Sequence, residues 1–81
     1  MRVTVKLFAM LREKAGVSTL SFDLPENSTV DTVLQRLLEA HPDISQLLAK
    51  AACALNQAYS PRSTVLQDGD ELALIPPVSG G

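Results

Sequence analysis

Aromatic side chains are scarce in this sequence: one tyrosine, two phenylalanines and no tryptophan stand among 81 residues. Any core must therefore be aliphatic, and a hydrophobic content of 46% is enough to expect a packed globule rather than disorder. Basic charge is also short. Seven Lys and Arg against nine Asp and Glu leave a formal charge of -2, which offers no footprint for nucleic acid or an anionic membrane. A single cysteine, Cys53, excludes an internal disulfide, and no stretch resembles a signal sequence or reaches the length of a membrane span. The expectation is one small cytoplasmic domain that binds neither nucleic acid nor membrane.

Residues that carry chemistry are equally few. Cys53 lies among alanines with no basic neighbour in sequence to activate it, and reads as core rather than nucleophile. His41, the only imidazole, falls at a helix end with no second metal ligand nearby, and reads as a capping or solvated residue. Asp68, Asp70 and Glu71 lack calcium-loop spacing and surround a turn. No glycine-rich phosphate loop and no nucleophile–base pair occurs. Neither a metal, a bound cofactor nor independent catalysis is expected.

What is present is a run of short, well-marked elements. Arg2 to Leu7 alternates strictly, so Val3, Val5 and Leu7 share one face of a strand and Phe8 falls out of phase. A helical turn from Met10 to Ala15 stops at Gly16, and Leu20, Phe22 and Leu24 mark a second strand ended by Pro25. Val30, Val33, Leu34, Leu37 and Leu38 make one face of the main helix between Thr29 and Ala40, with Ser28 as expected N-cap and His41-Pro42 as its end. A brief helix around residues 43–50 follows. Ala51 to Leu55 reads as a low-bulk buried strand or as the end of a helix; Asn56 and Tyr59-Ser60-Pro61 mark a turn. Val65-Leu66 is a short strand candidate, and Asp68-Gly69 turns the chain into Glu71 to Ile75, apolar on both faces and hence central. The order implies an α+β fold with one main helix across a sheet of four to five strands.

Two features point outward. Phe8, Met10 and Leu11 beside the charges of Arg12, Glu13 and Lys14 resemble a docking patch rimmed by charge. The second is the final stretch Pro76-Pro77-Val78-Ser79-Gly80-Gly81, read as a flexible tail (76–81) on a body of residues 1–75. Prolines stop strand pairing and hold an extended direction, whereas glycines lack the Cβ that would collide with a narrow channel. Six extended residues reach about 20 Å. The payload is the Gly81 carboxylate, which is ionised at neutral pH and requires activation, most simply as an acyl adenylate.

The stretches from Val5 to Glu13, Asn56-Gln57, and Asp68 through Pro76-Pro77-Val78-Ser79-Gly80-Gly81 resemble the small, sulfur-carrying subunits of molybdopterin synthase, within the ubiquitin-like β-grasp group. That resemblance implies adenylation of Gly81 by an E1-like adenylyltransferase using ATP, and conversion to a thiocarboxylate by a sulfur-transfer protein. It further implies insertion of the tail into a large subunit that holds the catalytic side chains, within a heterotetramer. There, sulfur passes to cyclic pyranopterin monophosphate. Gly80 serves passage of the tail; Phe8, Leu74, Ile75, Pro76, Pro77, Val78 and Ser79 match the partner-contact surface. The family often carries aromatics near Leu74 and Ile75, where this sequence has none. Other readings are a carrier for thiamine or another pathway, a ubiquitin-like modifier conjugated through Gly81, and an interaction domain using Phe8 alone.

Overall fold

The computed structural model describes residues 1–77. Five strands form one sheet in the order β2-β1-β5-β3-β4, with β1 at Arg2–Leu7, β2 at Thr19–Asp23, β3 at Ala52–Leu55, β4 at Ala58–Tyr59 and β5 at Glu71–Ile75. Three helices, α1 (Ala9–Ala15), α2 (Val30–Ala40) and α3 (Ser45–Ala49), with a 3-10 turn at Pro42–Ile44, are the other elements among the described residues. β5 lies in the middle as expected, parallel to β1 (Leu7 opposite Leu74) and antiparallel to β3 (Ala52 opposite Ile75).

Alternation decides which face is covered. Val3, Val5 and Leu7 of β1, Leu72 and Leu74 of β5 and Cys53 of β3 are buried in one cluster with Val30, Val33, Leu34 and Leu37 of α2. Ile44 and Leu48 close its side, so the scarcity of aromatics is met by interlocking aliphatic residues. Gly16 ends α1 at φ 79°, and its N–H donates to the Arg12 carbonyl, the left-handed stop that its position suggested.

Three expectations are corrected. Ser28 does not cap α2; Thr29 does, its hydroxyl accepting from the Thr32 N–H while the Thr32 hydroxyl accepts from the Thr29 N–H (3.4 and 3.2 Å). The buried Ser28 hydroxyl donates instead to the Pro25 carbonyl at 2.8 Å. Val65-Leu66 is no strand. Thr64 and Arg62 offer their carbonyls to the N–H groups of Val30 and Asp31 (3.0 and 2.9 Å), so this segment serves the open end of α2 rather than the sheet. The small fourth strand is β4, paired with β3 across Asn56-Gln57, both at positive φ (49° and 73°), as a tight two-residue hairpin requires.

The turn before β5 closes against the start of β1. The Arg2 N–H donates to Asp68 Oδ1 at 2.7 Å and the Gly69 N–H to the Arg2 carbonyl at 2.9 Å. Asp70 accepts from the Gln67 N–H and from Asn56 Nδ2, at 2.8 and 3.0 Å. The acidic cluster is thus turn chemistry, and no group of three metal-ligating side chains occurs among the described residues. No helix among them is long and apolar enough to cross a membrane.

Candidate functional site

The end of β5 sits between two neighbouring strands, so the chain leaves the body from the middle of the sheet rather than from an edge. Leu72 and Leu74 point into the core, whereas Glu71, Ala73 and Ile75 point to the uncovered face. Pro76 continues the inward phase and is buried; Pro77 is the first exposed residue after the strand. A proline cannot donate to the sheet, which is why the strand ends at Ile75 although the burial pattern runs one residue further. Val78, Ser79, Gly80 and Gly81 lie outside the described residues.

Leu74 corrects the expected contact surface. It is 0% exposed, opposite Leu7 on one side and Cys53 on the other, and so belongs to the core and cannot meet a partner. Ile75, half-buried on the outer face, can. Phe8 is 42% exposed and Met10 55%. Phe8 is still extended (φ -122°, ψ 155°), so strand alternation after Leu7 puts it outside the inward phase, and the chain turns into α1 at Ala9, whose φ of 50° is a left-handed conformation unusual for alanine. Because β1 and β5 run parallel, Phe8 and Ile75 flank the same end of the sheet as Pro76.

The outer face has a feature that the sequence reading missed. Thr19, Lys6, Ala73, Ala54 and Tyr59 are cross-strand partners in one unbroken row over all five strands. Ile75 and Ala52 form the next row toward the tail. The middle of this face is therefore a shelf of small apolar side chains. Tyr59, 77% exposed, stands at one edge, and Lys6 at the other pairs with Glu71 at 3.2 Å. The signal was available: alternation along Glu71 to Ile75 sends Ala73 and Ile75 outward, but an apolar run reads as buried on both sides.

A surface cavity of about 460 Å³ adjoins the shelf between Ala52, Cys53, Tyr59 and Arg62. Arg62, far from Cys53 in sequence, is the basic neighbour that local spacing did not reveal. Its Nη2 donates to the Leu48, Ala49 and Ala51 carbonyls at 3.0, 3.2 and 3.5 Å, capping the end of α3. Burial pushes the Cys53 thiol above its ordinary value, and the nearby Arg62 charge opposes this without reversing it. A thiol held protonated is a poor nucleophile, so Cys53 packs rather than reacts. His41 contributes its backbone N–H to the Leu37 carbonyl at the end of α2. Among the described residues, Cys53 and the His41 backbone thus serve packing and helix capping. The arrangement presents an apolar face beside the point where the chain leaves the body.

Comparison with known proteins gives the face a context. The chain matches the ThiS family over residues 5–81. It is similar to the molybdopterin synthase sulfur carrier subunit of Chlamydomonas reinhardtii, 40% identical over 83 residues with all of both chains covered. Among solved structures, small archaeal modifier protein 1 (SAMP1) of Haloferax volcanii superposes with a TM-score of 0.90 at 35% identity over all of both chains. A chain from the complex of subunits 1 and 2 of the molybdopterin-converting factor of Helicobacter pylori does so at 0.70 and 28% identity, again over all of both.

Proposed function

The chain belongs to the ThiS family, and on that premise we propose that it is a sulfur carrier of molybdenum cofactor biosynthesis, working through the carboxylate of Gly81. The observation that carries this reading is the family match over residues 5–81, which takes in the Gly-Gly pair, joined to full-length likeness to a molybdopterin synthase sulfur carrier subunit. The body supplies a β-grasp platform and no catalytic group of its own. It acts as a non-catalytic subunit of a two-component synthase.

The chemistry follows from the carboxylate. An oxygen of Gly81 attacks the α-phosphorus of ATP on an adenylyltransferase, pyrophosphate leaves, and the acyl carbon becomes electrophilic. A persulfide sulfur of a sulfur-transfer protein then attacks the acyl carbon, forming the C–S bond and expelling AMP; a thiolate attacks the donor sulfur of the resulting acyl disulfide, forming a protein disulfide and releasing the thiocarboxylate. The large subunit receives this terminus and passes the sulfur to cyclic pyranopterin monophosphate. Gly80 and Gly81 suit a narrow entrance because neither has a Cβ. Phe8, Ile75, Ala52 and Ala73 are the surface that partners of this carrier cover in turn. The likeness of the isolated chain to one member of a two-subunit complex supports a partner-bound working state.

Intact-mass measurement tests the reading. Incubation with the adenylyltransferase, ATP and a sulfur source should add about 16 Da, sulfur replacing oxygen at the acyl carbon. Sulfur transfer that survives an extra alanine after Gly81 would overturn it. The likeness to SAMP1 favours one second reading, conjugation through Gly81 to lysines of other proteins. Isopeptide-linked adducts in cell extract, dependent on the same adenylate, distinguish it.

A further inference from the structure

The two prolines after β5 look equivalent in sequence, but the fold treats them differently. Pro76 is buried in the inward phase of Leu72 and Leu74, whereas Pro77 is exposed. We propose that Pro76 is a positioning residue: it plugs the end of the core and fixes where and in which direction the carrier arm leaves the sheet, and Pro77 is the arm's first solvent-exposed residue. This rests on the sulfur-carrier reading given above.

The physical argument begins with the strand. Ile75 is the last residue of β5 and pairs with Ala52, so without a stop the strand end would fray between its two neighbours. A buried pyrrolidine ring resists this in two ways. Its φ is fixed near −65°, which removes one rotation at the exit, and its withdrawal into solvent would expose apolar surface. Pro77 has the first constraint and not the second. The arm proper then runs from Pro77 to Gly81, five residues with an extended reach of about 17 Å. A fixed origin at Pro76 sets the point from which that reach is measured, which raises the effective concentration of the terminus at a channel mouth once the body has docked.

Position and length can be separated by two insertions of equal size. One glycine between Ile75 and Pro76 shifts both prolines by one phase and removes the plug. One glycine between Pro77 and Val78 lengthens the arm identically and leaves the plug in place. In the isolated chain, amide hydrogen exchange at Ile75 should accelerate about tenfold or more in the first variant and stay within about twofold in the second. With saturating large subunit, turnover of sulfur transfer should fall about tenfold in the first and about threefold or less in the second, while affinity for the large subunit changes less than turnover in both. Pro76→Ala should follow the first variant and Pro77→Ala the second, which keeps the test decisive if an insertion impairs folding. Equal behaviour of the two insertions in exchange and in turnover would overturn the proposal. A difference in exchange, in a protein that carries no sulfur at all, would leave the anchor standing and remove the sulfur-carrier reading instead.

Discussion

The two faces of β5 differ in almost every respect. Leu72 and Leu74 look inward at zero exposure; Ala73 and Ile75, interleaved with them, look outward from a face that no helix covers. One strand thus holds the fold together with alternate residues and leaves the rest outside the core. The inner positions carry branched, bulky side chains because close packing against α2 provides the stability. Of the outer positions, Ala73 is small and leaves room for another molecule, and Ile75 beside the arm adds a half-buried apolar side chain.

The sharpest way to break this contrast is to damage each face separately. Leu74→Ala removes a fully buried side chain touching the centre of the sheet and should cost about 3 kcal/mol, a large part of the stability of so small a domain. Urea unfolding measures it, and a loss below about 1 kcal/mol would return Leu74 to the surface role that family position suggests. Ala73→Arg, one residue away, should change stability by less than about 1 kcal/mol but weaken binding to the large subunit more than thirtyfold or so, about 2 kcal/mol, because a long cation then stands on the shelf. Calorimetric titration decides it; unaltered affinity would mean that partners use another face.

That contrast also explains what could be read in the sequence. The inward stripe of α2 and the alternation of β1 were legible because large aliphatic residues recur at spacings set by helix and strand geometry. The shelf was harder to read: alternation marks Ala73 as outward only if Glu71 to Ile75 is not taken as buried on both faces, and Ala52 and Ala54 join that face only once strand register is known. Family likeness places Leu74 at the partner surface, whereas its own phase with Leu72 points inward. Thr29 displaced Ser28 as the cap because Thr32 can reciprocate, a three-residue relation that looks ordinary among so many polar residues. Arg62 against α3 depends on a contact between distant segments, which local spacing cannot express. The arm was legible as an unusual composition, yet the burial of Pro76 required the strand beneath it.

Smaller effects sharpen the boundary of the shelf. Phe8→Ala should lower affinity for the large subunit about tenfold, with little change in stability, since the ring is already 42% exposed in the free chain. A large loss of stability with unchanged binding would place the ring in the core instead. Lys6→Ala breaks the ion pair with Glu71, whose side chains are both 44% exposed, and should cost no more than about 0.5 kcal/mol at low salt. Added salt should erase that difference, because exposed pairs are screened within about 10 Å. A cost that persists in high salt would assign Lys6 a packing role for its aliphatic stem.

The smallest effect lies at the opposite end of the same face, where Arg2 Nε meets Asp23 Oδ1 at 3.1 Å across the β1–β2 pair. The hydrogen bond from Arg2, and then its charge, hold the Asp23 carboxyl below its ordinary value. A carboxyl depressed in the folded state contributes its stabilisation fully above the unfolded value, near 4, and loses it as the pH falls through the lower folded value. Arg2 keeps its charge throughout this window, so protonation of Asp23 alone removes the attraction. Both side chains are well exposed, and solvent screening keeps the gain slight. Comparing urea midpoints of the wild type and Asp23→Asn between about pH 6 and pH 2 should show a small advantage for the wild type that closes toward the acid end. A gap that persists at the lowest pH would mean that Asp23 acts through neutral hydrogen bonding, and that charge plays no part in joining β2 to β1 at the edge farthest from β4.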